Sequence, residues 1–342
     1  MDKPKRISYL FILAAIVLSA WLHAAALLLS ALFSYLALAK LRLGKRLGKW
    51  LAVLLFLLLL SGIGWGVVCF VEQAVFVLPK IVHDAVAAIV EWADDLGISL
   101  PFTDYAGLKT LTFDTLKHEG RYWGGVARLA RESATQLLYL IVGCVVALSL
   151  FFGARLELAG EEHAVRNNLY SRCCEEVAKR FQVFYASFAT VMGAQVVISA
   201  VNTVLSAIFM FAVGLPYVAV VVGVTFLCGL LPIVGNVLSN AVIVCIALTV
   251  SPGKALLALI YLVGIHKLEY FLNSKIVGGR IRNPLWLTLL ALVVGERLAG
   301  VPGMILAPVV LYYVKVETAK VDVGERSVES PAGTGGPASG NG

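Results

Sequence analysis

The side chains best suited to chemistry stand at the end of one apolar run. His266, Glu269 and Asn273 are spaced i, i+3 and i+7, so a helix places an imidazole, a carboxylate and an amide on one face. Such a set can take up a proton or hold a cation. Lys267 falls on another face. The stretch HKLEYFLNSKIVGGRIRNP, from His266 to Pro284, then breaks at Gly278 and Gly279 and carries Lys275, Arg280 and Arg282. A further apolar run starts after Pro284. Ionisable residues at membrane depth are costly, so a charged joint of this kind is a functional-site hypothesis by default. Two readings of Glu269 stay open: an ion-binding group, or an acid reaching the interface from the last turn of its helix.

A second polar set lies earlier. Gln195, Ser199, Asn202 and Ser206 follow one another at steps of 4, 3 and 4, which makes a single stripe on a helix. In a bilayer such a stripe faces another helix or a wet cavity. Interhelical packing and a transport pathway are both consistent with it. After a hinge at Gly214 and Pro216, the chain is apolar from Tyr217 to Val250 but is interrupted at LLPIVGN, with Pro232, Gly235 and Asn236, and then Ser239 and Asn240. Proline and glycine there free backbone groups, which is tolerated only where protein or a cavity satisfies them. The halves, 217–231 and 233–250, are short for full spans. A re-entrant helix–break–helix hairpin is therefore preferred to two spans. The run 285–316 is broken again at GVPGMILAP, with Gly300, Pro302, Gly303 and Pro308. Glu296 and Arg297 lie inside it, either beside a loop or as a shielded pair.

Composition sets the solvent. Hydrophobic residues are 60% of the chain and charged residues 14%, far from the roughly half and quarter of soluble domains. The lipid bilayer is the expected environment. The net charge of +7 comes from short basic blocks beside apolar runs without aromatic interleaving, which excludes nucleic acid as the expected partner. Lys40, Arg42, Lys45, Arg46 and Lys49 occur with no acid among them, so 40–49 is placed in the cytoplasm, and both termini with it. Cys69, Cys144, Cys228 and Cys245 sit in apolar runs, and Cys173 and Cys174 match no metal spacing. No Walker A pattern, HExxH or intramembrane Ser–His or paired-Asp set is present, so neither ATP hydrolysis nor another enzymatic activity is expected. No cofactor or metal centre is expected, beyond Na+ or H+ as transported ions.

The elements that carry these residues follow from hydropathy. Residues 7–39 read as two short, tilted helices turning near His23; the competing reading is a signal peptide with Ala24, Ala25 and Ala26 at its cleavage site. Residues 51–71 form a third span. In 72–135, Ile81, Val82, Ala85, Ile89 and Trp92 recur at helical spacing, with Lys80, Asp84 and Glu91 opposite. That predicts an amphipathic extracytoplasmic insert with a loop around Gly97 to Asp104, acting as a cap, an oligomer contact or a lid. Residues 137–153 return to the cytoplasm, and the mixed charges of 155–180 predict a solvated helix along the inner surface. The expected units are 1–71, 72–135, 136–182, 183–316 and a disordered tail over 317–342. The fold class is all-α and polytopic. The blocks 183–250 and 255–316 each join a span to a broken apolar stretch, the pattern of an inverted repeat whose substrate site lies where the broken tips approach.

Several motifs carry a resemblance: FQVFYASFATVMGAQ up to Gln195, GLP at 214–216, LLPIVGN up to Asn236, LEYFLNSKIVGGRI at 268–281, and NPLW followed by GVPGMILAP. In their order and spacing the chain resembles the autoinducer-2 exporter family of bacterial membrane proteins, the PerM-like permeases, over roughly residues 7–318. The matching positions are Gln195, Pro232, Gly235, Glu269, Gly278, Pro284, Gly303 and Pro308. Ser274 stands where the family usually has proline, and Glu296 and Arg297 interrupt a usually uncharged stretch. The resemblance implies a multi-pass inner-membrane exporter of a small solute, and a homo-oligomer with a pentamer among the candidates. Members of the family have been linked to efflux of autoinducer-2 and to sodium–proton antiport. On this reading Glu269 binds a proton or cation, His266 and Asn273 assist, and the stripe with the broken tips binds solute. The alternative is a non-transporting membrane scaffold or assembly factor that uses 72–135 as its partner surface.

Overall fold

The computed structural model describes residues 3–22, 24–42, 47–98, 122–153, 168–232, 234–272 and 284–321. Every regular element among them is an α-helix. In chain order these are α1 Lys3–Trp21, α2 Ala25–Leu41, α3 Leu47–Asp95, α4 Tyr122–Phe152, α5 Leu169–Val213, α6 Val218–Gly229, α7 Val234–Val250, α8 Pro252–Leu272 and α9 Leu285–Thr318. The all-α, polytopic class is as the sequence predicts. Two short helices occupy 7–39; His23, at their junction, lies outside the described residues, as do Asn273, Gly278 and Gly279.

Two helices are much longer than a bilayer. α3 has 49 residues and α5 has 45, so at about 1.5 Å per residue each is roughly 70 Å long against a hydrocarbon core of roughly 30 Å. α3 runs unbroken past residue 71, through Glu72, Gln73 and Lys80, since polar and charged side chains leave the backbone donors in place, and the helix continues past Pro79 as well. Its buried face is not the one the spacing suggests. Ile81 and Ala85 are buried together with Ala74, Val86 and Ala93, whereas Val82 and Trp92 are exposed. The mixed-charge segment differs as well. Residues 154–167 are outside the described set, and from Leu169 onward the segment is the first turns of α5, continuous with the apolar span. Asn168 caps this start by accepting the Ser171 N–H at 2.7 Å.

α5 is the spine. Its first half packs on α1, α2 and α9 through Phe184, Phe188 and Met192; its second half packs on α6 and α8, with Met210 in the same cluster as Ile81, Val221 and Ile243. α2 lies along α4, where a side chain on Gly143 would collide with Ser30 and the Leu27 carbonyl.

Both breaks are present. The first separates α6 from α7 around Leu230–Pro232. The second falls inside α9 at Ala299 and Gly300; Gly300 has φ 62 and ψ −149, a conformation open to glycine. The chain folds back there, since a Cβ on Gly295 would meet the Gly303 carbonyl at 2.5 Å and a Cβ on Gly303 would collide with that of Gly295. Pro302 sits in the first turn after the break, where its missing N–H costs little. α9 is thus apolar and long enough to cross a membrane by composition, but it is a hairpin rather than one straight span. Glu296 and Arg297 are exposed one turn before the break, 3.9 Å apart, so they are not a shielded pair. Pro308 lies within the second half of α9, and Pro284 caps its start.

One expected boundary moves. α9 continues through Thr318, and Glu317 is buried, so that residue belongs to the folded body rather than to a tail. Residues 322–342 lie outside the described set.

Candidate functional site

The site is built from the end of α6 outward. A helix leaves its last carbonyls without intrahelical partners, and in a membrane water cannot supply them. α6 ends at Gly229, and α5 provides what is missing. Gln195 donates from Nε2 to the Gly229 carbonyl at 2.6 Å, and Ser199 donates from Oγ to the Phe226 carbonyl at 2.7 Å. The approach is close: a Cβ on Gly229 would lie 2.5 Å from Ser199 Oγ. Further along the stripe, Ser206 Oγ is 3.0 Å from the Tyr261 hydroxyl of α8, and that tyrosine stacks on Phe209. Gln195, Ser199 and Ser206 therefore serve interhelical packing, one of the two readings left open by the spacing.

The hairpin closes just as tightly. A side chain at Gly235 would overlap the Cys228 carbonyl, so the first turn of α7 lies directly on the last turn of α6. Pro232 occupies the turn between them, and its carbonyl accepts from Val234 N at 2.7 Å. Gly214 shapes the preceding joint. It ends α5 in the left-handed region at φ 67, and the Leu215 N–H reaches back to the Met210 carbonyl at 2.9 Å. Pro216 follows, and Tyr217 takes φ 63 at the start of α6.

Beside this tip lies the ionisable group. Glu269 of α8 is 6% exposed and Asn236, in the first turn of α7, is 3% exposed. The Asn236 side chain stands against the Glu269 carboxylate, with its amide nitrogen short of a well-formed hydrogen bond. His266 Nδ1 is 3.7 Å from Glu269 Oε2 on the next turn of α8. The N-terminus of α7 also presents its positive dipole end to this region. Two further polar atoms in the α5–α6 layer are buried without a hydrogen bond, Asn202 Oδ1 and Thr225 Oγ1. Buried polar groups are nearly always paired, so such orphans mark places for water, an ion or a substrate group. Among the described residues no group of three or more His, Cys, Asp or Glu could hold a metal ion.

The structure thus gathers Gln195, Ser199, Pro232, Gly235 and Asn236 around one tip, with His266 and Glu269 beside it, while Asn202 is buried further along α5. Asn273 lies outside the described residues. Gly303 does not join them. α9 packs chiefly on α5, α2 and α1, whereas α6 and α7 pack on α5, α3 and α8. The expectation that the two broken tips meet is therefore corrected: each hairpin docks on its own part of α5, and Gly303 serves the internal contact with Gly295.

A polar cluster that the sequence did not reveal ties α1, α5 and α9 together. Arg180 Nη1 pairs with Glu317 Oε2, and Arg180 Nη2 lies 3.2 Å from Glu176 Oε2. The Tyr9 hydroxyl donates to Glu317 Oε2 at 2.9 Å, and the Arg180 guanidinium lies 4.4 Å from the centre of the Tyr9 ring. Glu176 and Arg180 show an i, i+4 pattern, but no local spacing points to Tyr9 or Glu317.

The family described as AI-2E family transporter matches residues 7–321. Two candidate transport proteins of Bacillus subtilis (strain 168) are similar. YdbI is 30% identical over 134 residues, 39% of this chain and 38% of its own length. YueF is 37% identical over 103 residues, 30% of this chain and 28% of its own length. The matches thus span under two-fifths of either relative. No solved structure matches the chain at a significant level. The family match covers nearly the whole helical body, both hairpins included, and the chain belongs to the AI-2E transporter family.

Proposed function

We propose that the chain is a secondary transporter that exports a small solute across the bacterial inner membrane, driven by a proton or sodium gradient. The observation that carries the reading is the buried Glu269 carboxylate beside an unpaired Asn236 amide at a helix break. A buried carboxylate with so few partners requires a proton or a cation to offset its desolvation. Asn202 Oδ1 on α5 and Thr225 Oγ1 on α6 are further buried oxygens without a hydrogen-bond partner. No Walker A pattern is present, so ATP hydrolysis is not built into the chain, in keeping with a gradient-driven reading. Autoinducer-2 is the solute suggested by the resemblance. The proposed topology keeps the 40–49 segment and both termini in the cytoplasm, and the proposed assembly is a homo-oligomer.

The test is transport in proteoliposomes. Proton and sodium gradients are imposed separately while internal pH is followed. A cation-dependent pH change that Glu269→Gln abolishes supports the reading. If Glu269→Gln leaves the change intact, the carboxylate has no coupling role; if neither gradient produces one, ion coupling itself is wrong.

A further inference from the structure

A cavity of about 530 Å³ opens between α5 and the end of α9, away from the Glu269 site. Its volume falls in the range of roughly 300–1,000 Å³ typical of ligand sites. Its wall carries three cations, Lys179, Arg180 and Lys320, and no carboxylate among the described residues. The acids that pair with them, Glu175, Glu176 and Glu317, stand outside the wall. Arg180 is only 9% exposed, and its Nε is buried with no hydrogen-bond acceptor although both Nη atoms are engaged. Arg180 is sealed behind this wall, so the cationic groups that reach the cavity are the two lysines, each about half exposed.

The depth of the cavity narrows the ligand. Beyond the charged turn of α5 the wall is mixed but more apolar than polar, with Val183, Ala186, Tyr312 and Val316 beside Ser187 and Thr190. Charge on one side and hydrocarbon on the other is the polarity profile of the headgroup zone of a bilayer. Basic pockets between helices at that level suit lipid phosphate groups.

We propose that this cavity is a phosphate-binding site, occupied from the membrane by the headgroup of an anionic phospholipid. The two lysines hold the phosphate oxygens beside the buried Arg180, and the more apolar wall takes the upper acyl segment. The site is independent of the transport reading and of Glu269.

Native mass spectrometry of the full-length protein tests it, with phosphatidylglycerol as probe, phosphatidylcholine as the neutral-headgroup control and inorganic pyrophosphate as the soluble competitor. The variant Lys179→Ala/Lys320→Ala keeps the buried Arg180–Glu317 pair; its lysines are about half exposed, so the fold is retained. Lys40→Ala removes an exposed cation elsewhere. The double variant is expected to weaken phosphatidylglycerol retention by about tenfold, with Lys40→Ala near wild type. Competition by pyrophosphate assigns the contact to the phosphate. Binding of pyrophosphate without phosphatidylglycerol keeps the phosphate site but makes its source soluble. Equal retention of both lipids with no pyrophosphate binding, or equal losses in the double variant and Lys40→Ala, overturns the proposal.

Discussion

Gln195 and Gly229 are joined by a 2.6 Å hydrogen bond across 34 residues of sequence. The donor is a side chain on the spine helix, and the acceptor is the terminal carbonyl of a helix that stops inside the apolar body. Gln195→Ala leaves that carbonyl buried and unpaired, at a cost of about 1–3 kcal/mol. Thermal melting of the full-length protein in detergent checks this; a melting temperature unchanged from wild type would show that the hairpin closes without α5.

Gly235 and Gly264 make a controlled pair. A Cβ on Gly235 would overlap the Cys228 carbonyl, whereas nothing lies within 4 Å of one on Gly264. Gly235→Ala must therefore part α6 from α7 and is expected to destabilise by about 3 kcal/mol or more, the upper end of overpacking. Gly264→Ala, in the body of α8, is expected to gain up to about 1 kcal/mol from helix propensity. Parallel denaturant titrations separate the two; equal behaviour would contradict the tight hairpin.

The Arg180–Glu317 pair predicts a non-additive pattern. Removing either partner leaves a buried charge, so Arg180→Ala and Glu317→Ala should each cost about 3–5 kcal/mol. Replacing both by apolar residues of similar volume, as in Arg180→Met/Glu317→Leu, should cost far less than the sum. A double-mutant cycle by thermal melting measures the coupling, and additive losses would mean that the pair is not a unit.

Asn236 separates function from folding. Its amide nitrogen makes no hydrogen bond in the described structure, so Asn236→Ala removes no paired donor. Stability should change by under about 1 kcal/mol, while gradient-driven pH change in proteoliposomes falls. Unaltered transport would take Asn236 out of the ion pathway.

Much of the fold is legible because bilayer physics leaves few alternatives. Pro232 and Gly235 in an apolar run announced the first break, and it lies there. The second, read at GVPGMILAP with Gly300 among its residues, opens at Ala299 and Gly300, and Pro302 just after it fits the helix start. The stripe from Gln195 to Ser206 was visible as a period. Its role was not, because the carbonyls it serves belong to another helix whose end is set by tertiary structure. The change in charge at Glu72 looked like an element boundary; helices tolerate such changes, and α3 continues. Glu317 lay in a stretch of tail-like composition, and only Tyr9 and Arg180, distant in sequence, explain its burial.

The carboxylate of Glu317 also bears on the order of synthesis. It binds Tyr9 of the first helix and Arg180 of the spine, yet it is the last of the three to leave the ribosome. Until then Arg180 has only Glu176 beside it, and α1 lacks its polar tie to the end of α9. The bundle is therefore latched from its C-terminal end, and a chain halted before α9 is finished would carry an incompletely neutralised arginine where the closed protein has a buried pair.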